Sequence, residues 1–239
     1  MRKTQLSRRS CLAVGAGLGL QLSGCVAPPA GPVGPAPAGE LPPPPPGWRE
    51  RLDGPGSGLR VQVFRAGAAA HLGHNHVIEA GDLWAELIWP DAGAARANAW
   101  SKATLVLGFS LDALVIDPPA RRARLGPDFA STLSDEDRAG TLANLRRALS
   151  AERFAQVRVQ TTRIVGEGPS LAVEAAVAWH GQVRALPLTV SLDGPRAQGR
   201  AVLRQSDFGI QPFSVLGGLL AVRDEVVVEF ELVRRTAGS

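Results

Sequence analysis

Glu225-Val226-Val227-Val228-Glu229-Phe230-Glu231-Leu232, near the C-terminus, sets Val226, Val228, Phe230 and Leu232 at a period of two. Glu225, Val227, Glu229 and Glu231 fall between them. Alternation of this kind belongs to a strand with one buried face and one wet face. Upstream, Arg204-Gln205-Ser206-Asp207-Phe208-Gly209-Ile210 is followed by Pro212-Phe213 and Gly217-Gly218. These residues read as a polar strand end running into a turn-rich loop that leads to the closing strand.

The same period recurs back along the chain. Leu59, Val61 and Val63 alternate with polar residues, and Leu83, Ala85, Leu87 and Trp89 form the next apolar face. Leu105, Leu107, Phe109 and Leu111 follow, then Val157 and Val159, then Leu171, Val173, Ala175, Val177 and Trp179. Leu186, Leu188, Val190 and Leu192 precede the turn Asp193-Gly194-Pro195, and Ala201 and Leu203 lie beyond it. The pattern predicts an all-β, antiparallel sheet of about eight strands, closing into a barrel with one apolar face inside. One helix interrupts it. Ser134 caps Asp135-Glu136-Asp137, and Leu142, Leu145 and Leu149 recur at helical spacing, with Arg146 and Arg147 near the C-terminal end.

Of 239 residues, 45% are hydrophobic and 20% charged, the balance of a chain with a substantial core. The formal charge of +4 is local: Arg2, Lys3, Arg8 and Arg9 precede residue 25 with no acid among them. Without those four, 22 basic residues face 22 acidic ones, which argues against a nucleic-acid partner. Residues 1–25 read as a lipoprotein signal peptide. A basic start is followed by an apolar run from Cys11 to Leu20, too short to span a bilayer, and then by Leu22-Ser23-Gly24-Cys25. Such an ending looks like a lipobox, in which the Cys25 thiol is acylated and becomes the membrane anchor. The expected location is the periplasm, with Val26 rather than Asp after the cysteine compatible with the outer membrane. Only Cys11 and Cys25 occur, so the mature fold is held by packing rather than by an internal disulfide. Residues 26–58, with Pro42 to Pro46 at their densest, read as a disordered Pro/Gly/Ala-rich linker ahead of a domain over 59–235.

Landmarks of a known family then appear in order. Ala70-His71-Leu72-Gly73-His74-Asn75-His76 comes first, followed by Phe109-Ser110-Leu111-Asp112 and the helix opening on Ser134-Asp135-Glu136-Asp137-Arg138. Arg153-Phe154-Ala155-Gln156-Val157-Arg158-Val159 follows, with Ala155 where the family has proline, and then Trp179-His180-Gly181-Gln182-Val183-Arg184. With the closing segment, the domain resembles the YceI-like family of periplasmic lipid-binding proteins, in its GHxH-containing branch. The resemblance implies a lipocalin-like barrel around an elongated apolar pocket that holds a polyisoprenoid, quinone or fatty amide. Ligand contacts are expected from Leu107, Phe109, Trp179 and Leu188 on the strands, and from Phe208, Phe213, Val228 and Phe230 in the closing segment. The same residues in a filled barrel would be core, and a structural envelope protein is the corresponding reading.

The histidines carry the alternative. His74 and His76, two apart, share a face if they lie on a strand, and with His71 they suggest a periplasmic metal-binding protein. Catalysis is not expected. No Gly-x-Ser-x-Gly elbow surrounds any serine, and Gly217-Gly218 lacks the context of a phosphate loop. Nor is a cofactor expected.

Overall fold

The computed structural model describes residues 39–235; the leader and Cys25 lie outside the described residues. Twelve strands form one antiparallel sheet, against about eight expected. They are β1 (Trp48–Arg51), β2 (Gly58–Ala66), β3 (His76–Ala80), β4 (Trp84–Trp89), β5 (Thr104–Ser110), β6 (Leu114–Ile116), β7 (Gln156–Val165), β8 (Ser170–Trp179), β9 (Gln182–Asp193), β10 (Arg196–Arg204), β11 (Ser214–Val215) and β12 (Leu220–Val233). Their order is β1-β4-β5-β7-β8-β9-β10-β12-β2-β3-β6, with β11 paired beside β12. The additional strands β1, β3, β6 and β11 are two to five residues long, too short to establish a period. One of them, β1, lies inside the segment read as linker, so the sheet starts before residue 59. It pairs with β4 from Trp48↔Trp89 to Arg51↔Glu86.

The sheet curls into a half-barrel that hydrogen bonds from backbone N–H groups draw together at its two ends. Just past β1, Leu52 N–H donates to Ala85 O and Gly54 N–H to Val233 O, each at 2.9 Å, which joins the β4 side to the end of β12. At the other junction Gly81 N–H donates to Ala113 O at 3.0 Å, and Ser110 N–H to Asp82 Oδ1 at 2.9 Å. Hairpin turns fix register between neighbours. Trp179 and Gln182 are paired across His180 (φ 51°) and Gly181 (φ 71°), the two left-handed residues that a tight hairpin of this twist requires.

Between β6 and β7 runs the one long excursion. It holds α2 (Pro119–Arg122) and α3 (Asp135–Ala148), and a short helix, α1 (Ala92–Arg96), follows β4. The sequence-predicted helix is α3, and its start is a capping box: Ser134 Oγ accepts from Asp137 N–H at 3.1 Å, and Asp137 Oδ2 accepts from Ser134 N–H at 2.9 Å. Its leucine stripe faces the sheet. Leu149 is buried, and Leu142 and Leu145 pack on the same core as the strands.

Candidate functional site

Inward faces of β2, β5, β7, β8, β9, β10 and β12 converge on a cavity of about 140 Å³, on a scale where one water takes about 10–15 Å³. Its wall continues the alternating runs read from the sequence, except that of β4: Leu59, Val61 and Val63 from β2, Leu105 and Leu107 from β5, Val173, Ala175 and Val177 from β8. Leu145 of α3 and Leu149 at its C-cap close part of it, so the helix is a wall of the site. A smaller void of about 60 Å³ lies toward Leu52 and Leu87 and shares Leu105, Thr161, Val173, Val190 and Phe230 with the first. Phe230 stands between them. Its ring has room because the paired residue is Gly199, where an added Cβ would stand 2.5 Å from Phe230 Cζ.

Six of the eight residues singled out in the sequence border the cavity: Leu107, Phe109, Trp179, Leu188, Val228 and Phe230. Phe208 does not reach it. Only 1% exposed, it packs behind Trp179 with ring centroids 5.2 Å apart. Phe213 is partly buried on the loop before β11, outside the lining. Sequence reading missed Ile78 and Leu114, which sit on the short strands β3 and β6, and it missed Thr161 and Gln205.

Those last two, with the indole of Trp179, are the polar features of an otherwise apolar wall. Thr161 sits at a bulge in β7, where the register shifts before Arg163, and its Oγ1 accepts from Leu105 N–H at 2.9 Å. Gln205 Nε2 donates to Arg223 O at 2.8 Å and so ties the end of β10 to β12. Trp179 Nε1 is buried with no hydrogen-bond partner. No charged side chain lines the cavity, so an apolar chain inside meets no charge to desolvate.

The histidines of the His71–His76 stretch are held by different partners. His74 Nδ1 is hydrogen-bonded to Ser131 Oγ at 3.1 Å, and His76 Nδ1 donates to Asp117 Oδ2 at 2.6 Å, while His71 is exposed on a short helical turn. Among the described residues no three His, Cys, Asp or Glu side chains stand together as a metal site. The three-histidine set is therefore not assembled: His71 is exposed on its turn, apart from the pair His74 and His76. The arrangement is a buried polar clamp. Asp117, fully buried, accepts from Val77 N–H at 2.9 Å and from Arg122 Nη1 at 2.7 Å. Arg122 also donates to Asn75 O at 2.7 Å and to Ser131 Oγ at 2.9 Å. Burial alone would push the Asp117 carboxyl up, but hydrogen bonds from His76 and Val77, the nearby imidazole and Arg122 outweigh it and hold it below the ordinary aspartate value. The clamp pins the β6–β7 excursion to β3, and Phe129 packs edge-on against Phe64 at 5.9 Å. As chemistry it is two unjoined halves: among the described residues Ser131 has a histidine with no bonded acid behind it, and the histidine backed by Asp117 is bonded to no nucleophile.

A family model described as a YceI-like domain matches residues 113–234, just over half the chain and the whole run from β6 to β12. No curated protein matches. Among solved structures the chain is similar to BcnA of Burkholderia cenocepacia at 12% identity and a TM-score of 0.48, covering 74% of this chain and 95% of that one. It is also similar to a mutant CJ YCEI protein crystallised with a monobromobimane guest, at 8% identity and a TM-score of 0.46, covering 67% and 85%.

Proposed function

The chain belongs to the YceI-like family, and from that premise we propose that it is a binding protein that sequesters or carries a hydrophobic chain inside the half-barrel. The observation that supports this most directly is an open interior of about 140 Å³ with an almost wholly apolar wall and no charge in it. Burying one CH₂ group contributes about 0.8 kcal/mol. A chain of about fifteen such groups gains about 12 kcal/mol, and a cost of about 4 kcal/mol for lost translational freedom leaves micromolar affinity. The ligand class is a polyisoprenoid, a quinone or a fatty amide, long enough to pass Phe230 into the second void. The setting is the periplasm, with acylated Cys25 holding the domain at the outer membrane through the proline-rich segment. No cofactor takes part, and no reaction is assigned to the cavity.

Native and denaturing mass spectrometry of the full chain carrying Cys25→Ser, which removes the acylation site and allows purification without detergent, tests this reading. The expected result is a non-covalent excess of several hundred daltons that extracts into organic solvent and is displaced by the uncharged apolar fluorophore phenylnaphthylamine. A chain that carries nothing and leaves the fluorophore in water would overturn it.

A further inference from the structure

Beyond the cavity, β2 and β12 run on into an exposed apolar tip. Leu216 is 69% exposed, Leu72 66%, Leu219 51% and Val215 37%. These residues come from two segments that the fold holds together. Ala69 N–H donates to Leu219 O at 2.8 Å, and Val215 pairs with Leu220 across the β11–β12 turn. Gly73 lies so close to Leu220 that an added Cβ would stand 2.8 Å from Cδ1. The tip extends the same strands that line the cavity at Val63 and Val226, a pair in direct register.

Two guanidinium groups flank it. Arg65 and Arg223 are exposed beside the tip, and neither has a carboxylate partner among the described residues. Arg65 Nη1 donates to Gly73 O at 2.7 Å, and the Arg223 guanidinium lies 5.8 Å from the Phe64 ring centroid. Of the acids next to Arg223 in sequence, Asp224 is taken by Ser206 and Arg204 and Glu225 by Arg204. Asp128, whose backbone carbonyl accepts from Asn75 at 3.0 Å, is the one exposed acid near Arg65 among the described residues. Four protruding apolar side chains flanked by two unpaired guanidinium groups fit a surface that is apolar within and anionic at its edge. Four side chains also fall short of the roughly 1,200 Å² that a stable protein interface buries.

We propose that the tip formed by Leu72, Val215, Leu216 and Leu219 docks on a lipid bilayer containing anionic headgroups. The leucines enter the boundary of the acyl chains, and Arg65 and Arg223 meet the phosphates. This contact is separate from any acyl anchor and requires no ligand in the cavity. It places one end of the cavity against the membrane, where an apolar chain can pass without crossing water.

Vesicle flotation of the full chain carrying Cys25→Ser, which removes the acylation site, tests the contact. Any binding by residues 1–25 is common to every variant, so the differences are read. On phosphatidylcholine vesicles containing phosphatidylglycerol, Leu216→Ser/Leu219→Ser is expected to bind at least tenfold more weakly than its parent. Arg65→Gln/Arg223→Gln is expected to lose about fivefold per charge on those vesicles and nothing on pure phosphatidylcholine. Because all four positions are exposed, thermal melting of each variant should match the parent. Equal flotation of the leucine variant would overturn the proposal, as would an arginine effect that persists on uncharged vesicles. Sedimentation velocity supplies the remaining outcome: a parent that self-associates while the leucine variant does not, with no vesicle difference, would assign the tip to a second copy. Each of these results leaves ligand binding in the cavity to stand or fall by its own measurement.

Discussion

Asp117 combines features that are costly apart. It is fully buried, ionised and in a left-handed backbone conformation at φ 50°, which aspartate visits more readily than most residues. What keeps it there is complete hydrogen bonding by Val77, His76 and Arg122. Removing one partner of a buried pair strands the other, so Asp117→Ala is expected to cost about 3–5 kcal/mol in urea unfolding at neutral pH. The pH dependence has a definite sign. A carboxyl held below its ordinary value contributes stability that is complete above about pH 4–5 and is lost as pH falls through its folded value. The gap between the natural chain and Asp117→Ala should therefore narrow below about pH 4, and a gap of constant size would contradict the clamp. Gly199 offers a second test at this scale. An added Cβ would meet the Phe230 ring at 2.5 Å and Thr189 O at 3.1 Å, so Gly199→Ala should cost about 1–3 kcal/mol. Phe230→Leu in the same chain should return part of that loss, and additive costs would show that the two residues do not compete for space. Residues such as these mark the limit of sequence reading. Alternation shows that Leu107, Phe109, Trp179, Leu188, Val228 and Phe230 share a side. It contains nothing about Asp117 meeting Arg122, or Gln205 turning inward, since those depend on where a long excursion lands.

At the scale of elements, legibility followed length. The long strands β8, β9 and β12 carry enough alternations to set both identity and face, whereas β1, β3 and β6 are three to five residues long and are defined by their partners. The helix was legible for a chemical reason as well as from its leucine spacing. Ser134 and Asp137 stand at the spacing that satisfies two otherwise unpaired N–H groups, and both reciprocal bonds are present. Its capping contribution can be isolated. Ser134→Ala is expected to weaken α3 by about 1 kcal/mol, seen as faster amide exchange over residues 135–148 while β8 and β12 exchange as before. Faster exchange throughout the sheet would instead make α3 part of a single cooperative unit with the barrel. Because Leu145 and Leu149 line the cavity, the same variant should release phenylnaphthylamine faster.

For the molecule as a whole, one question decides between a carrier and a structural barrel: is the interior empty enough to be filled? Alternation cannot answer it, because an inward aliphatic face looks the same whether it meets its opposite wall or a ligand. Ala175 is the position from which to ask. It is buried, lines the cavity and lies between Thr161 on β7 and Leu186 on β9. Ala175→Leu adds three carbons on the inner side. If they enter open space, apolar burial favours the folded state by up to about 2.4 kcal/mol and Tm rises. If they enter a packed core, neighbours must leave their rotamers and stability falls by about 1–3 kcal/mol. The two cases differ in sign, so the measurement does not depend on the accuracy of either figure. A cavity of about 140 Å³ predicts the first. The same substitution should weaken phenylnaphthylamine binding at least tenfold, because leucine occupies the volume the probe needs. Higher Tm with lower affinity is the signature of a cavity kept open at the expense of stability. A lower Tm with unchanged affinity would locate probe binding elsewhere and make the half-barrel a packed core.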